Sequence, residues 1–145
     1  MKKITILFLS VLTLGLSVAS CSSDDDNDGG SASIEGKWEL SQVGASVGGQ
    51  ETFEDVKNGS CSNDTYEFKN DGKLIYTEYY SNGGKCEPET SNGTWTKNGN
   101  TLKIKFTGED EESYETEISG NKVKLKQTQT VGGQTFTYIE VYVKK

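Results

Sequence analysis

The feature that most limits what this chain can fold into is a series of short alternating segments separated by tight-turn residues. Leu102, Ile104 and Phe106 alternate with Lys103 and Lys105. Tyr114, Thr116 and Ile118 alternate with Glu115 and Glu117, and Val123 and Leu125 with three lysines. A period of two with charged partners describes extended strands that have one packed face and one wet face. Asn70-Asp71-Gly72, Asn98-Gly99-Asn100 and Ser119-Gly120-Asn121 supply residues that tolerate positive φ, as tight hairpins demand. The pattern predicts eight strands, over about residues 36–43, 64–69, 73–80, 93–97, 101–107, 112–118, 122–130 and 135–143. No stretch after residue 20 carries a helical apolar period of any length.

One-sided strands joined in succession must bury their common face. An eight-stranded antiparallel up-and-down β-barrel does so and removes the exposed edges, so the expected class is all-β with a closed barrel. A two-sheet sandwich is the competing solution. The longest connection, about residues 44–63, is expected to be a loop or lid over one end. Val47-Gly48-Gly49-Gln50-Glu51-Thr52-Phe53 and Val131-Gly132-Gly133-Gln134-Thr135-Phe136 read alike, an echo expected of turn-rich sequence rather than of duplication.

The first residues follow a different logic. Met1-Lys2-Lys3 is basic, Ile4 to Val18 is almost wholly apolar, and Val18-Ala19-Ser20-Cys21 closes the run. The apolar stretch falls short of the roughly 20 residues that a spanning helix needs, which fits an export signal. The closing tetrad resembles the lipobox of bacterial lipoproteins, in which cleavage exposes a cysteine that carries acyl chains such as palmitate. An ordinary signal peptide followed by a cysteine is the alternative. One chain alone anchors marginally, so stable attachment takes two or more. Ser22 to Ser31 has four Asp and nothing to bury, as an extended tether should. The expected organisation is a signal peptide at 1–20, lipidated Cys21 with an acidic tether over 21–33, and one barrel domain over 34–145. Asp24, Asp26, Asp28, Gly29 and Glu35 meet the spacing of a calcium-binding loop. Without flanking helices the match reads as an acidic spacer, and no metal site is expected.

Composition removes whole classes of function. The chain has no histidine and no arginine. The commonest general base is therefore missing, and Ser-His-Asp or Cys-His arrangements are excluded. The acids are expected mostly on wet strand faces or in loops (Glu109, Asp110, Glu111, Glu112), so no catalytic residue is assigned, no cofactor is implied and no enzyme is expected. Cleavage after Ser20 removes Lys2 and Lys3 and no acid, taking the net charge of −7 to −9. Nucleic acid needs a basic footprint and is disfavoured as a partner.

Cys61 and Cys86 flank the hairpin that turns at 70–72, at its open end, and an exported chain favours their pairing. Trp38 and Trp95, beside Gly36 and Gly93, are expected in the barrel floor. Tyr79 and Tyr80 are neighbours on one strand and so point to opposite faces, one of them exposed near a rim. With Phe53 on the long connection they are the candidates to border a ligand. The sequons at Asn58, Asn63 and Asn92 read as turn-rich sequence.

Ile34-Glu35-Gly36-Lys37-Trp38, Tyr66-Glu67-Phe68-Lys69-Asn70-Asp71-Gly72, Gly93-Thr94-Trp95 and Asn98-Gly99-Asn100-Thr101-Leu102 occur in that order. Together they resemble the lipocalin-like domain common in lipoproteins of Bacteroidota, over about residues 34–143. The resemblance implies a calycin-type barrel, no catalytic residues, and loosely the binding of a small hydrophobic molecule. It places Trp38 at the position of the floor tryptophan. The arginine that covers that ring in lipocalins has no counterpart here, which leaves the task to a lysine. The acidic stretch after Cys21 resembles a surface-export signal, implying lipid attachment to the outer membrane on its exposed side. Two functions remain: a surface module with a small-molecule pocket, or a structural or protein-interaction module of the envelope with a filled barrel.

Overall fold

Turns at alternate ends send the chain up and down through one sheet that closes on itself. The computed structural model describes residues 33–145. The expected signal peptide, Cys21, the tether except Ser33, and the calcium-loop pattern except Glu35 lie outside the described residues. The described residues form nine strands: β1 (Gly36–Val47), β2 (Gln50–Asp55), β3 (Thr65–Phe68), β4 (Lys73–Asn82), β5 (Lys85–Asn98), β6 (Thr101–Phe106), β7 (Glu112–Ser119), β8 (Lys122–Val131) and β9 (Gln134–Lys144). Each of β3 to β8 pairs antiparallel with its successor, and β1 joins β3 on one side and β9 on the other. Eight strands thus close the expected antiparallel barrel.

The ninth strand corrects the expected long loop. Residues 44–47 continue β1, and β2 returns along it from Val47↔Gln50 to Gln42↔Asp55. The reason is local: Gly48 and Gly49 both have positive φ, 59° and 84°, the backbone that a two-residue hairpin demands. Val131-Gly132-Gly133-Gln134 makes the same turn with φ of 60° and 79°, so the two similar stretches are two similar hairpins at one end of the barrel. Only 56–64 remains a connecting loop. β5 is also far longer than its expected 93–97, because Lys85–Asn92 pairs by backbone register with β4 while carrying no apolar alternation.

β1 changes phase midway. Between Leu40 and Gln42 its pairing with β9 slips by one residue, a bulge that bends the strand and reverses its facing. Trp38 and Leu40 point inward before it, and Val43 packs on the same core after it. Ser41 turns its carbonyl to the amide of Val56, 2.9 Å away. Below the bulge the edge of β1 pairs with β3, and above it with β2.

The end where the chain enters is packed solid. Ile34, Trp38, Phe68, Leu74, Leu102, Ile104, Val123 and Leu125 are all buried there. The Trp38 indole N–H donates to the Ile34 carbonyl at 2.6 Å. Lys144 lies over the Trp38 ring, its Nζ 5.3 Å from the centroid. Gly36, at φ 117°, leaves room for it: a Cβ there would meet Lys144 Cε at 3.2 Å. Trp95 donates its indole N–H to the Lys69 carbonyl at 3.0 Å and stands edge-on to Phe68. Burying each such side chain contributes about 1.5–3 kcal/mol.

A second, smaller core lies outside the barrel. Ile139 and Val141 are buried yet face away from the lumen. Phe53 of β2 rests on Gly44, the register partner of Ile139, and under Lys124 Nζ at 5.0 Å, whose register partner is Val141. Glu51 clasps Lys124 and Lys126 at 2.6 and 3.0 Å, which holds its carboxyl below the usual range. The β1–β2 hairpin is thereby fastened over β9 to β8.

Leu102 is wholly enclosed at the centre of the main core. Leu102→Ala is expected to destabilise the fold by about 2–5 kcal/mol through lost burial and a residual cavity. Urea unfolding should show a lower midpoint with an unchanged slope; a loss under about 1 kcal/mol would mean that the floor is loosely packed.

Candidate functional site

The barrel is filled below and open above. Inward positions follow from alternation: Glu112, Tyr114 and Thr116 on β7; Phe136, Tyr138, Glu140 and Tyr142 on β9; Tyr76, Glu78 and Tyr80 on β4; Glu89 and Ser91 on β5. Thr116 and Tyr142 are buried, whereas Glu89, Ser91 and Glu112 are exposed although they point inward. Side chains that face the barrel axis and still meet solvent define an unfilled mouth. Part of it is a cavity of about 430 Å³ lined by Ala45, Val47, Gln134, Thr135 and Phe136.

At the boundary between floor and mouth sits a layer of tyrosines and carboxylates. Tyr66 packs against Tyr76 and Tyr142 with centroids 4.9 and 5.2 Å apart, and Tyr76 against Phe106 at 6.1 Å. The Tyr76 hydroxyl donates to Asp64 at 3.0 Å, the Tyr142 hydroxyl to Glu140 at 2.9 Å, and the Tyr114 hydroxyl to Glu112. Removal from water raises the pKa of each of these tyrosines, and of Tyr66, well above its ordinary value. They stay neutral donors at any working pH. Tyr138, nearer the rim, is pushed up to about 12, first by burial and then by Glu140.

Glu140 is a half-buried acid of this layer. Burial raises its pKa, the Tyr142 hydroxyl bond opposes the rise, and the charges of Asp64 and Glu112 add to it. Glu78 is raised likewise by burial, Asp64 and Glu89. Among the described residues no lysine lies within ion-pair distance of Asp64, Glu78, Glu89, Glu112 or Glu140, whereas Glu39, Glu51, Asp71, Glu111 and Glu117 outside all have one.

The seam above β3 is closed by side chains instead of a ladder. Asp64 accepts from the Tyr79 amide at 3.0 Å, and the Asn58 side-chain amide donates to the Tyr79 carbonyl at 2.6 Å. Asn63 donates to the carbonyls of Leu40 and Val56 at 2.9 and 3.0 Å. Cys61 and Cys86 are joined across 25 residues, fastening the same loop to the β4–β5 arm. By loop entropy the bond contributes about 3–4 kcal/mol.

The residues singled out from sequence do not share one place. Phe53 lies on the outer face over Gly44 and does not reach the lumen. Tyr79 points outward, its backbone held by Asp64 and Asn58. Tyr80 points into the mouth near its rim and is 41% exposed. Trp38 and Trp95 lie in the packed half, and Cys21 is outside the described residues. The acids of the lumen were missed by the expectation that carboxylates sit on wet faces. The available signal was parity: Tyr138, Glu140 and Tyr142 share a face, as do Glu112 and Tyr114. Among the described residues no group of three acids or cysteines is placed to hold a metal ion.

Glu140→Gln keeps an acceptor for Tyr142 and removes the charge. With its folded pKa raised, Glu140 is disfavoured as an ion in the folded state above that value, and the penalty vanishes once both states are protonated below the ordinary range. The variant should therefore melt higher than the parent at pH 7, with the gap shrinking as pH falls through the window from the raised value to the ordinary one. A calorimetric gap that is constant or reversed would refute this assignment.

Comparison with known proteins agrees with the geometry. The profile of a family described as "Lipocalin-like domain" matches residues 34–125. A lipocalin-like protein from Bacteroides uniformis is similar in structure, with a TM-score of 0.53 at 17% identity over 77% of this chain and 98% of that one. An uncharacterized protein from Bacteroides eggerthii gives a TM-score of 0.50 at 15% identity over 78% and 100% of the two chains. At these identities the likeness is one of fold. No curated protein matches the chain.

Proposed function

We propose, from the premise that the chain belongs to the lipocalin-like domain family, that it is a lipid-anchored module which captures a small molecule in the open mouth of its barrel. The family is generally non-catalytic, and the module works by binding alone. The observation that carries the reading is the change from packed floor to open lumen, with an apolar shelf of Ala45, Val47 and Phe136 at its edge. A concave site with mostly apolar walls and a few convergent polar groups is the usual form of a small-molecule site.

The apolar probe N-phenyl-1-naphthylamine should brighten on binding one equivalent of the protein. Ala45→Trp, which fills the shelf, should weaken that binding at least about tenfold while the melting temperature holds. A probe that does not bind, or that binds the variant equally well, would remove the mouth as the site.

Residues 1–20 serve in this reading as the export signal, Cys21 as the acylated residue, 21–33 as the acidic tether and 34–145 as the displayed domain. The lipobox-like tetrad and the acidic run support attachment to the outer membrane on its exposed side. Cys21→Ser should move the protein from the membrane pellet to the soluble fraction of cells and abolish its labelling by palmitate. Retention in the pellet with undiminished labelling would exclude Cys21 as the anchor.

A second reading, a protein-interaction module, draws on Val47 and Val131. Both are exposed, at 67% and 63%, at Gly-Gly hairpin tips on the mouth end. Two exposed valines form a patch smaller than interfaces require, so capture of a small molecule is preferred.

A further inference from the structure

Charge in this protein is sorted by face. The lysines of β6 and β8 (Lys103, Lys105, Lys124, Lys126) point outward. Among the described residues every inward-facing charge between the Trp38 floor and the hairpin tips is a carboxylate, with Asp64, Glu78, Glu87, Glu89, Glu112 and Glu140 as its members around the lumen. Tyrosine rings fill the space between them.

Glu140 is the pivotal member. It is half-buried among the lumen's side chains, one hydroxyl donates to it, and no cation of the described residues lies within ion-pair distance. A carboxylate withdrawn from water without a counter-charge is costly, and this one points into the lumen below the open mouth, the side from which a counter-charge would enter. Directly above it on the same face of β9 come Tyr138 and Phe136, and Phe136 belongs to the apolar shelf. At about 3.4 Å per residue the path from Glu140 to Phe136 spans about 14 Å.

We propose that the ligand of the mouth is a small amphiphile with a cationic nitrogen head: the head sits beside Glu140 among the tyrosines, and the apolar body lies along Tyr138, Phe136 and Val47. The inference rests on the mouth being a small-molecule site and adds the ligand's charge. Each alternative fails on the same geometry. An anion is repelled by six carboxylates, a neutral chain leaves Glu140 uncompensated, and a divalent metal lacks converging ligands among the described residues. Aromatic walls with carboxylates suit an ammonium, which is attracted by ring faces as well as by charge.

The test is calorimetric titration of the protein with three probes of equal chain length below their micellar concentrations: octyltrimethylammonium, 1-octanol and octanoate. The expected result is one site for the ammonium, at least about tenfold tighter than octanol, with no binding of octanoate. Glu140→Gln should weaken the ammonium about tenfold and leave octanol unchanged. Glu112→Gln, at an exposed position, should weaken it in the same sense and serves if the first variant does not fold. Dihexanoylphosphatidylcholine forms a further arm. Binding of either cationic head supports the proposal, and the tighter one names the source as a free amine or a choline headgroup. Octanol or octanoate binding as tightly as the ammonium, with both variants indifferent, overturns the cationic ligand and leaves the capture site standing. Failure of all the probes to bind overturns both.

Discussion

The pairing of β9 along most of β1 is the constraint on which the rest depends. From Trp38↔Lys144 to Ser46↔Thr137 it joins the last strand to the first. That ladder turns an open sheet into a barrel, gives the strands an inside, and removes two edges that would otherwise invite aggregation. It also brings Lys144 over Trp38. The bulge within it reverses the facing of β1, so that the strand serves the packed floor with Trp38 and Leu40 and the open mouth with Ala45 and Val47.

The barrel is closed by two different means, and the difference locates its function. Around the floor, backbone ladders and buried aliphatic side chains do the work. Above β3 no strand lies between β2 and the upper half of β4, and Asp64, Asn58 and the Cys61–Cys86 bond hold the loop there. The same Asp64 that ties Tyr79 in place also receives the Tyr76 hydroxyl, so the seam and the lumen's polar layer share a residue. A carboxylate-lined space with no internal cation among the described residues is costly to stability, tolerated where a site needs it.

Much of the fold was legible because it is written in local terms. Turn residues with positive φ and one-sided strands such as β6, β7 and β8 mark their own positions. Where the pattern failed, no local signal existed. Lys85–Asn92 is polar on both faces, and only backbone pairing with β4 makes it a strand. Residues 44–55 read as a loop because the apolar side chain of β2, Phe53, packs on the outside. Of the three residues expected to border a ligand, Tyr80 alone points into the mouth. Glu140, Glu112 and Asp64 were not expected there, since an acid in a short strand reads as solvated until its neighbours are known.

By itself the sequence determined the alternation and the turns, because these follow from backbone geometry and nearest neighbours, whereas closure into a barrel rests on the long-range pairing of β1 with β9. Nor did the sequence determine which side of β9 faces inward. Along Phe136 to Val143, Ile139 and Val141 alternate with Tyr138, Glu140 and Tyr142, and the aliphatic set is the natural choice for the core. The tertiary structure decides otherwise. Gly44 leaves a hollow for Phe53, and the β1–β2 hairpin covers Ile139 and Val141 from outside. Burial is thereby satisfied on the outer face, and Glu140 is free to face the lumen. Strand parity is local, but the side that is buried depends on what the rest of the chain lays against it.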